Sequence, residues 1–295
     1  MNKIAITTGD PNGIGAEITI KALNKLNLPP DNFVLISNKK ILDFYGKLNN
    51  DYEIIEIPYE GKINCGKITK EAGEFSFQSV KLACKIAPQA IITAPVAKEA
   101  MHLAGHKFNG QTEILQKYLA HDNQLAEMLF VAGNFRVLLL TRHIPLKEIN
   151  ITKELVIEKV TNLQKHFENN LNITKPKFAL CGFNPHSGEN GILGKEEIEI
   201  LQPAVDELRL KGINITNPLP ADTLFARYAN YDCIIANYHD QGLIPIKTLA
   251  GNKTVNMTIG LDIIRTSPGH GTAFDIAGKN IADETGMIEA IKTVL

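Results

Sequence analysis

The chain has 295 residues, 44% of them hydrophobic, which is enough for one large α/β unit or for two domains of ordinary size with a real core. Lys and Arg total 31 against 32 for Asp and Glu. The formal charge of -1 argues against wholesale electrostatic binding to nucleic acid or to an anionic membrane. Any anionic ligand must therefore be held by a local cluster of charges.

The four cysteines are far apart in the chain and form no CxxC pair. This spacing argues against a zinc ribbon or a disulfide scaffold. The N-terminal "MNKIAITTGD" enters a strand-like segment directly, and no apolar run approaches the roughly 18 residues needed to span a bilayer. We expect a soluble cytoplasmic protein with free thiols.

Short apolar runs, which predict strands, alternate with longer amphipathic runs, which predict helices. The predicted strands are 3–8, 33–37, 53–57, 90–93, 127–132, 135–141, 177–183, 232–237 and 254–259. The predicted helices are 14–26, 39–48, 70–86, 111–120, 152–168, 195–211 and 287–294. This β-α alternation predicts a mainly parallel sheet with helices on both faces.

One pair of predicted strands departs from the alternation. Gly133 and Asn134 separate two apolar runs, which is a two-residue hairpin signal in the middle of the chain. The antiparallel element is compatible with a second domain inserted between the N-terminal and C-terminal segments of the first.

Three of the eight histidines follow predicted strands. "RVLLLTRH" ends at His143, "FALCGFNPH" at His186 and "CIIANYH" at His239. Ligands of open α/β sheets sit at the carboxyl ends of the strands, so these positions carry functional weight. Three imidazoles from separate strand ends would form a ligand set for a divalent metal with positions left open. Alternatively, each ring bonds only a loop carbonyl.

Two glycine-containing loops are candidates for ligand contacts. "TTGDPNGIGAE" (7–17) matches neither a P-loop nor GxGxxG. It either brings backbone N-H groups and Asp10 to a ligand at a helix N-terminus or forms a tight turn that requires glycine. "SPGHGTAFDIAGK" (267–279) would let the backbone approach a ligand closely and offers His270, Thr272 and Asp275 as polar contacts.

A set of polar side chains in the last third of the chain suits an anion. Lys247, Asn256 and Arg265 each lie at or near the edge of an apolar segment. Arg can grip a phosphate or carboxylate as a fork, and Lys as a point charge. Gln111 and Thr112 open a predicted helix, where they either cap it or face an anion. Simple solvation at the surface is the alternative.

Several sequence blocks together resemble the 4-hydroxythreonine-4-phosphate dehydrogenase family of pyridoxal phosphate biosynthesis. They are "TTGDPNGIGAE", "TAPVAKEA", "GQTEIL", "TRHIPLKEI", "CGFNPHSGENGILGKEEIE", "PLPADTLF", "YHDQGLIPIK" and "VNMTIGLDIIRTSPGHGTAFDIAGK". The blocks run in order over nearly the whole chain. "HGTAFDIAGK" is also similar to the cofactor loop of isopropylmalate and isocitrate dehydrogenases.

The resemblance implies a fold and an organisation. We expect two α/β/α domains with a mainly parallel central sheet, like isopropylmalate dehydrogenase, and an active-site cleft between the domains. Residues 1–110 with 247–295 would form the cofactor-side domain. Residues 111–246 would form the inserted domain, with the metal ligands and the dimer contacts. The active form would be a homodimer whose site takes residues from both subunits.

The resemblance also implies roles for individual residues. His143, His186 and His239 would be the catalytic metal ligands. The residues that would contact the phosphorylated substrate are Gln111, Thr112, Lys247, Asn256 and Arg265. The residues that would lie along NAD or NADP are His270, Gly271, Thr272, Ala273 and Asp275. The metal would be zinc, cobalt, manganese or magnesium.

The implied reaction is the NAD(P)-linked oxidation of 4-phosphooxy-L-threonine to 2-amino-3-oxo-4-phosphooxybutanoate, which loses carbon dioxide to give 3-amino-2-oxopropyl phosphate. The general base is open among Lys98, Asp240 and a metal-bound water. Two features differ from the family's usual pattern: Gln111 stands where histidine is usual, and the region around 58–70 is shorter.

Other activities remain open on the sequence. Relatives of this family oxidise other four-carbon acid phosphates. An acyltransferase on a similar fold would use the cationic set without a metal. A metal-dependent hydrolase would use the histidines to activate water instead of a hydroxyl. A non-catalytic phosphometabolite binder is the fourth possibility.

Overall fold

The computed structural model describes residues 3–122 and 124–295. The chain divides into two compact units. The first comprises Met1–Ala126 with Asn252–Leu295, and the second comprises Glu127–Gly251. The expectation of a domain inserted into another is compatible with this division. The bounds of the two units differ from the expected ones at two places. Residues 111–126 belong to the first unit, and residues 247–251 belong to the second.

The strands match the predicted alternation. They are β1 (Ile4–Thr7), β2 (Phe33–Ser37), β3 (Glu53–Glu56), β4 (Ala90–Thr93), β5 (Glu127–Ala132), β6 (Phe135–Leu139), β7 (Phe178–Leu180), β8 (Cys233–Ala236), β9 (Val255–Ile259) and β10 (Ile264–Pro268). All nine predicted strands are present within a few residues of their expected bounds. Strand β10 is additional.

The helices are α1 (Gly15–Leu26), α2 (Lys39–Tyr45), α3 (Lys70–Lys85), α4 (Lys98–Leu103), α5 (Gln111–Leu119), α6 (Lys153–Asn170), α7 (Gln202–Leu210), α8 (Ala221–Phe225), α9 (His239–Ala250) and α10 (Thr285–Lys292). A π-helical turn, Glu197–Leu201, precedes α7. The hydroxyls of Thr69 and Thr152 cap the N-termini of α3 and α6, accepting bonds from backbone N-H groups in the first turn. Helices α4, α8 and α9 were not predicted.

The sheet of the first unit has the order β3-β2-β1-β4-β10-β9. Its first five strands are parallel, and β9 is antiparallel to β10. One face is apolar near the amino ends, where Ala5, Val34 and Ile91 pack in a core that also contains Phe75 of α3 and Ile114 of α5. Nearer the carboxyl ends the same face carries Thr7 and Thr93 beside Ile36.

The sheet of the second unit has the order β5-β6-β8-β7. Strands β5 and β6 form the expected hairpin, with Gly133 in the left-handed region at φ 60°. Strands β6, β8 and β7 are parallel. A mainly parallel α/β architecture is thus confirmed in each unit.

Helix α9 packs closely on the second sheet at Gly242. A Cβ built on Gly242 would lie 2.6 Å from the Leu139 side chain and 3.0 Å from Ala236 Cβ. Only glycine therefore allows the helix to approach β6 and β8 this closely. Pro245 lies inside the same helix. These two residues, which ordinarily break helices, explain why the sequence pattern did not predict α9.

None of the helices in the described ranges combines the length and the apolar character that crossing a bilayer requires.

Candidate active site

The three candidate histidines follow three adjacent parallel strands of the second unit. His143 follows β6, His239 follows β8 and His186 follows β7. Because the carboxyl ends of parallel strands meet at one edge of a sheet, all three residues lie beyond that edge, His143 and His186 in the connections after β6 and β7 and His239 at the start of α9. The sequence-based placement of these residues at strand ends is confirmed for β6, β7 and β8.

Two of the three imidazoles are neighbours. The ring centroids of His143 and His239 are 5.5 Å apart, and the ring planes are inclined by 47°. Two imidazoles sharing a tetrahedral ion through nitrogens about 2.0–2.1 Å from it have centroids roughly 5 Å apart. The observed spacing is close to that value, so this pair fits a shared divalent ion.

The hydrogen bonding of His239 also fits a metal ligand. Its Nδ1 lies 2.7 Å from Oδ1 of Asp240. A carboxylate on one ring nitrogen is the usual partner of a metal-binding histidine, because it fixes the ring and leaves the other nitrogen for the ion. Within residues 3–122 and 124–295, however, no group of three or more His, Cys, Asp and Glu side chains is arranged to hold a metal. The three-histidine site stays a prediction.

His186 stands on an unusual backbone turn. The five consecutive residues His186–Asn190 all have positive φ, between 46° and 77°. Gly188 is the only glycine among them, and left-handed backbone costs other residues about 1–2 kcal/mol each. The turn is held from outside: Asn184 donates from its backbone N-H to Glu197 Oε1 (2.7 Å), and Ser187 Oγ donates to the Pro218 carbonyl (2.9 Å).

The polar residues around His239 connect the strand ends. Asn237 is fully buried directly after β8, and its Nδ2 donates to the Cys181 carbonyl at 2.9 Å. Gln241 Oε1 accepts from the Asn237 backbone N-H at 2.7 Å, and its Nε2 donates to the Gly182 carbonyl at 2.8 Å. The run of hydrogen-bonding side chains after this apolar strand therefore has a structural role that the sequence did not reveal.

Arg265 lies on β10 opposite Ile91 of β4 and is 3% exposed. Its Nε and Nη2 both donate to Oγ1 of Thr93, at 2.9 and 2.6 Å. None of the ion pairs formed by the described residues includes Arg265. Burial lowers the pKa of its guanidinium to about 10. A buried guanidinium without a carboxylate partner is suited to an anionic ligand.

Further polar atoms lie near Arg265 on the same sheet. Thr258 is directly opposite Arg265 in the β9–β10 ladder, and Asn256 is opposite Ser267, so all four side chains share one face. Asn256 Oδ1 and Thr258 Oγ1 are buried and have no hydrogen-bond partner in the described part of the chain. The sequence did not identify Thr258 or Thr93, since short threonine-containing strands have no distinctive signature.

Gln111 and Thr112 form the first turn of α5, as expected. Gln111 donates from Nε2 to the Ala94 carbonyl at 3.2 Å, whereas its Oε1 is buried and unpartnered among the described residues. The N-cap residue, Gly110, has no side chain to cap the helix. The free backbone N-H groups of this turn therefore favour an anion. Lys247 lies elsewhere, in the last turn of α9.

The two glycine-containing loops of the first unit pack against each other. The backbone N-H of Ile14 donates to the Thr272 carbonyl at 3.1 Å, and a Cβ on Gly13 would come within 3.0 Å of Thr272. Residues 270–275 are half-buried or exposed, with Asp275 and Gly271 exposed. His270 Nδ1 is 3.0 Å from the Gly271 carbonyl. The loop is thus fixed at its base and accessible along its length.

Asp10 is buried beneath these loops. Its Oδ1 accepts from the Asn12 N-H at 2.8 Å, and burial raises the pKa of its carboxyl to about 6. Gly9 has φ 72°, and a Cβ there would overlap the Pro95 carbonyl. Of the two alternatives for this loop, the tight turn that requires glycine is correct for Gly9, and the Asp10 side chain is enclosed. Of the side chains considered as general base, Lys98 and Asp240 are both exposed.

The comparisons with known proteins agree along the whole chain. The family profile described as "Pyridoxal phosphate biosynthetic protein PdxA" matches residues 5–294. A 4-hydroxythreonine-4-phosphate dehydrogenase of a Sulfurihydrogenibium species is 42% identical over 100% of this chain and 98% of its own. A D-threonate 4-phosphate dehydrogenase of Salmonella typhimurium is 38% identical over 99% and 98%.

Solved structures are also similar to this chain over its whole length. The crystal structure of 4-hydroxythreonine-4-phosphate dehydrogenase from Klebsiella pneumoniae has a TM-score of 0.88 and 34% identity, and the match covers 100% of this chain and 98% of that one. Isocitrate dehydrogenase from Methylococcus capsulatus is similar in fold alone, with a TM-score of 0.55 and 15% identity over 100% and 85%. The expected fold class is confirmed.

Proposed function

The chain belongs to the PdxA family of pyridoxal phosphate biosynthetic proteins, whose named relatives are dehydrogenases, and on that premise we propose that it oxidises 4-phosphooxy-L-threonine. A hydride leaves C3 for NAD or NADP and the C3 hydroxyl loses its proton. The product is 2-amino-3-oxo-4-phosphooxybutanoate, a β-keto acid that decarboxylates to 3-amino-2-oxopropyl phosphate. The observation that carries the proposal is the placement of His143, His186 and His239 after adjacent parallel strands.

His143, His186 and His239 hold a divalent cation in this proposal. The 5.5 Å spacing of two rings and the Asp240 contact of His239 support it. A cation bound there supplies a Lewis acid that lowers the pKa of the substrate hydroxyl. The chain itself orients the imidazoles, through Asp240 at His239 and through the left-handed turn at His186. Zinc, cobalt, manganese or magnesium would serve.

The substrate phosphate is held by Gln111, Thr112, Lys247, Asn256 and Arg265. Three features of the first unit support this. Arg265 is a buried guanidinium without a carboxylate partner in the described ranges, Asn256 Oδ1 is enclosed and unpartnered there, and the first turn of α5 presents backbone N-H groups. Holding the phosphate at fixed points orients C3 toward the nicotinamide.

The nicotinamide cofactor, which accepts the hydride when bound, lies along His270, Gly271, Thr272, Ala273 and Asp275. The accessible backbone of this loop and its attachment to the loop around Gly13 support the assignment. Gly271 has open space around its Cα, since a Cβ there would meet nothing within 4 Å. The choice between NAD and NADP is part of the test below.

The active form is a homodimer in this proposal, with a site shared between subunits. Exposed apolar residues support such a contact: Leu146 is 71% exposed shortly after His143, and Ile192 is 78% exposed shortly after His186. The four free cysteines are consistent with the cytoplasmic location expected for the enzyme.

D-Threonate 4-phosphate is the second candidate substrate. The D-threonate 4-phosphate dehydrogenase of Salmonella typhimurium is nearly as similar to this chain as the 4-hydroxythreonine-4-phosphate dehydrogenase of the Sulfurihydrogenibium species. Gln111, where the family usually has histidine, is the specific residue that favours considering it. Both candidates carry a C3 hydroxyl next to a phosphorylated C4, so the same residues would serve either.

The test is an assay of reduced nicotinamide formation by near-ultraviolet absorbance. Each substrate is offered with NAD and with NADP, before and after removal of divalent metal by a chelator. We expect turnover of 4-phosphooxy-L-threonine that is lost on chelation and restored by Zn²⁺, Co²⁺, Mn²⁺ or Mg²⁺. Turnover of D-threonate 4-phosphate alone selects the second candidate. No reduction with any combination contradicts the dehydrogenase proposal.

A further inference from the structure

Asn237 connects the end of β8 to the two neighbouring strands. Its carbonyl accepts from the backbone N-H of Thr141 at 3.1 Å and from the Thr141 hydroxyl at 2.7 Å. Its side chain donates to the Cys181 carbonyl at 2.9 Å. Thr141 is two residues before His143, and Cys181 is five residues before His186. One buried residue thus contacts the segments that lead to both histidines.

Gln241 completes the connection from the other side of His239. The side-chain oxygen of Gln241, Oε1, accepts from the Asn237 backbone N-H at 2.7 Å and lies 3.3 Å from Asn237 Nδ2. Its amide nitrogen donates to the Gly182 carbonyl at 2.8 Å. Both ends of this one amide are used, so neither a carboxylate nor an apolar side chain can replace it without losing a bond.

The side-chain hydrogen bonds of Asn237 and Gln241 are additional to the backbone hydrogen bonds that hold the sheet together. Strands β6, β8 and β7 are already paired by their backbones through Leu139, Ala236 and Leu180. Backbone bonds continue the β6–β8 pairing as far as Thr141 and Asn237. The side chains of Asn237 and Gln241 add bonds to the carbonyls of Cys181 and Gly182, just after β7. His239 lies between the two amides in the chain, and His143 and His186 follow the segments that these amides bond.

We propose that Asn237 and Gln241 are positioning residues: they fix the segments that lead to His143, His186 and His239, and so set where this chain presents each of these ligands to a divalent cation. The inference rests on the proposed metal site. It goes further by assigning the geometry of that site to two amides that would not themselves touch the ion. Their loss should weaken the metal site more than it weakens the fold.

The experiment compares Gln241→Met and Gln241→Glu with a control variant at the opposite edge of the same strands. Asp232 precedes β8, and its Oδ2 accepts from the Lys177 N-H at 2.7 Å, just before β7. Asp232→Ala therefore also removes one cross-strand bond between these segments, but far along the strands from the histidines. Gln241→Glu keeps the acceptor for Asn237, replaces the donor to Gly182 with an acceptor and adds a negative charge, which by itself favours a nearby cation.

Two quantities are measured on each purified full-length protein. Zn²⁺ affinity is measured by competition with a chromophoric chelator, and thermal unfolding is measured without metal. The visible spectrum of the Co²⁺-loaded proteins reports ligand geometry. We expect both Gln241 variants to bind Zn²⁺ roughly 10- to 100-fold more weakly than the wild type, the usual effect of a partner behind the ligands. Asp232→Ala should match the wild type in affinity and in Co²⁺ spectrum.

The outcomes separate the inference from the function it rests on. A wild-type protein that binds neither Zn²⁺ nor Co²⁺ overturns the metal site and the inference together. Wild-type binding with unchanged affinity and spectrum in Gln241→Glu overturns the inference alone and leaves the dehydrogenase proposal intact. If Gln241→Met does not fold, the comparison of Gln241→Glu with Asp232→Ala still decides whether Gln241 positions the metal ligands.

Discussion

The Thr93 hydroxyl accepts two hydrogen bonds from Arg265, one from Nε at 2.9 Å and one from Nη2 at 2.6 Å. The two residues lie on adjacent parallel strands, β4 and β10, and both are almost fully buried. A buried guanidinium has several donors in a fixed plane, so anchoring one edge of it determines where the remaining donors point. Thr93 thereby orients the cation that we assign to the substrate phosphate.

Thr93→Val should impair phosphate binding, because it removes the hydroxyl that accepts both hydrogen bonds from Arg265 and keeps the size of the side chain. We expect KM for the phosphorylated substrate to rise roughly tenfold, equivalent to about 1.4 kcal/mol, and Thr93→Ser to restore it. Thr266→Val is the control: Thr266 is buried on β10 and donates to the Ala290 carbonyl, on the opposite face from Arg265. Equal effects of the two valine variants on KM would contradict an orienting role.

Gln111→His should make substrate binding depend on pH in a new way. Imidazole has a pKa of about 6.5 and gains charge as pH falls, whereas the amide does not titrate. We expect the ratio of the variant's KM to the wild-type KM to fall as pH is lowered through about 6.5. Taking the ratio cancels the titration of the substrate phosphate. A ratio that does not change between pH 5.5 and 7.5, roughly the range centred on that pKa, would place residue 111 away from the phosphate.

Leu146→Asp should disrupt the homodimer and the activity together. Leu146 is 71% exposed and follows His143, so a carboxylate there would be buried in the proposed interface. Sedimentation velocity should show dissociation at least about tenfold more favourable than in the wild type. Leu210→Asp is the control, because Leu210 is 89% exposed at the end of α7 and follows no candidate ligand. Loss of the dimer in the control alone would place the interface elsewhere.

His166 should make the protein acid-sensitive. Burial lowers its pKa from 6.5 to about 4, because the charged ring is poorly solvated at its buried position on α6. The unfolded chain therefore binds a proton that the folded chain rejects over this range, and the free energy of unfolding falls as pH drops from 6.5 toward 4. A pKa difference of roughly two to three units between the folded and unfolded states changes the free energy of unfolding by about 3 kcal/mol.

His166→Leu should remove this dependence. Urea denaturation of the wild type and the variant at several pH values measures it. We expect the difference in the free energy of unfolding between the two proteins to favour the variant increasingly as pH falls. A difference that stays constant across the range would show that the folded protein binds the imidazole proton as readily as the unfolded chain does.

Asp10, in the first unit, should make the free energy of unfolding depend on pH in the opposite direction. Burial raises its pKa from 3.8 to about 6, so the folded chain holds a proton that the unfolded chain releases. Its contribution is most favourable below pH 3.8 and is lost as pH rises to about 6. Asp10→Asn, which mimics the protonated form, should raise the unfolding temperature above that of the wild type at neutral pH. The advantage should disappear near pH 4, where the wild-type carboxyl is protonated in the fold. A variant less stable at neutral pH would mean that the ionised carboxylate is stabilised in place.

Much of the architecture could be predicted because its signals are local. Strands such as β5 and β6 are continuous apolar runs, and Gly133-Asn134 between them specifies a hairpin through backbone geometry alone. The candidate histidines could be found because each comes within a few residues of the end of such a run. Their sequence spacing placed them at strand ends, and the sheet order β6-β8-β7 made those ends neighbours.

The remaining features depend on contacts that distant segments make. Strand β10 has the sequence "IRTSP", which has no apolar alternation, and it forms because β4 and β9 lie on either side of it. Helix α9 contains Gly242 and Pro245, whose unfavourable propensities are outweighed by packing on Leu139 and Ala236. Neither the Thr93–Arg265 contact nor the Asn237–Gln241 contact could be read from residue type.

The first unit is assembled from the two ends of the chain, and this has a consequence during synthesis. Strand β10 pairs with β4, which is emitted from the ribosome more than a hundred residues earlier, and β9 pairs with β10. The continuous segment Glu127–Gly251 is complete before either strand exists. Since domains fold as units while translation proceeds, the nascent N-terminal segment must wait with its β4 edge uncovered. A chaperone that protects this edge until the last fifty or so residues emerge would matter more to the yield of active enzyme than to its final stability.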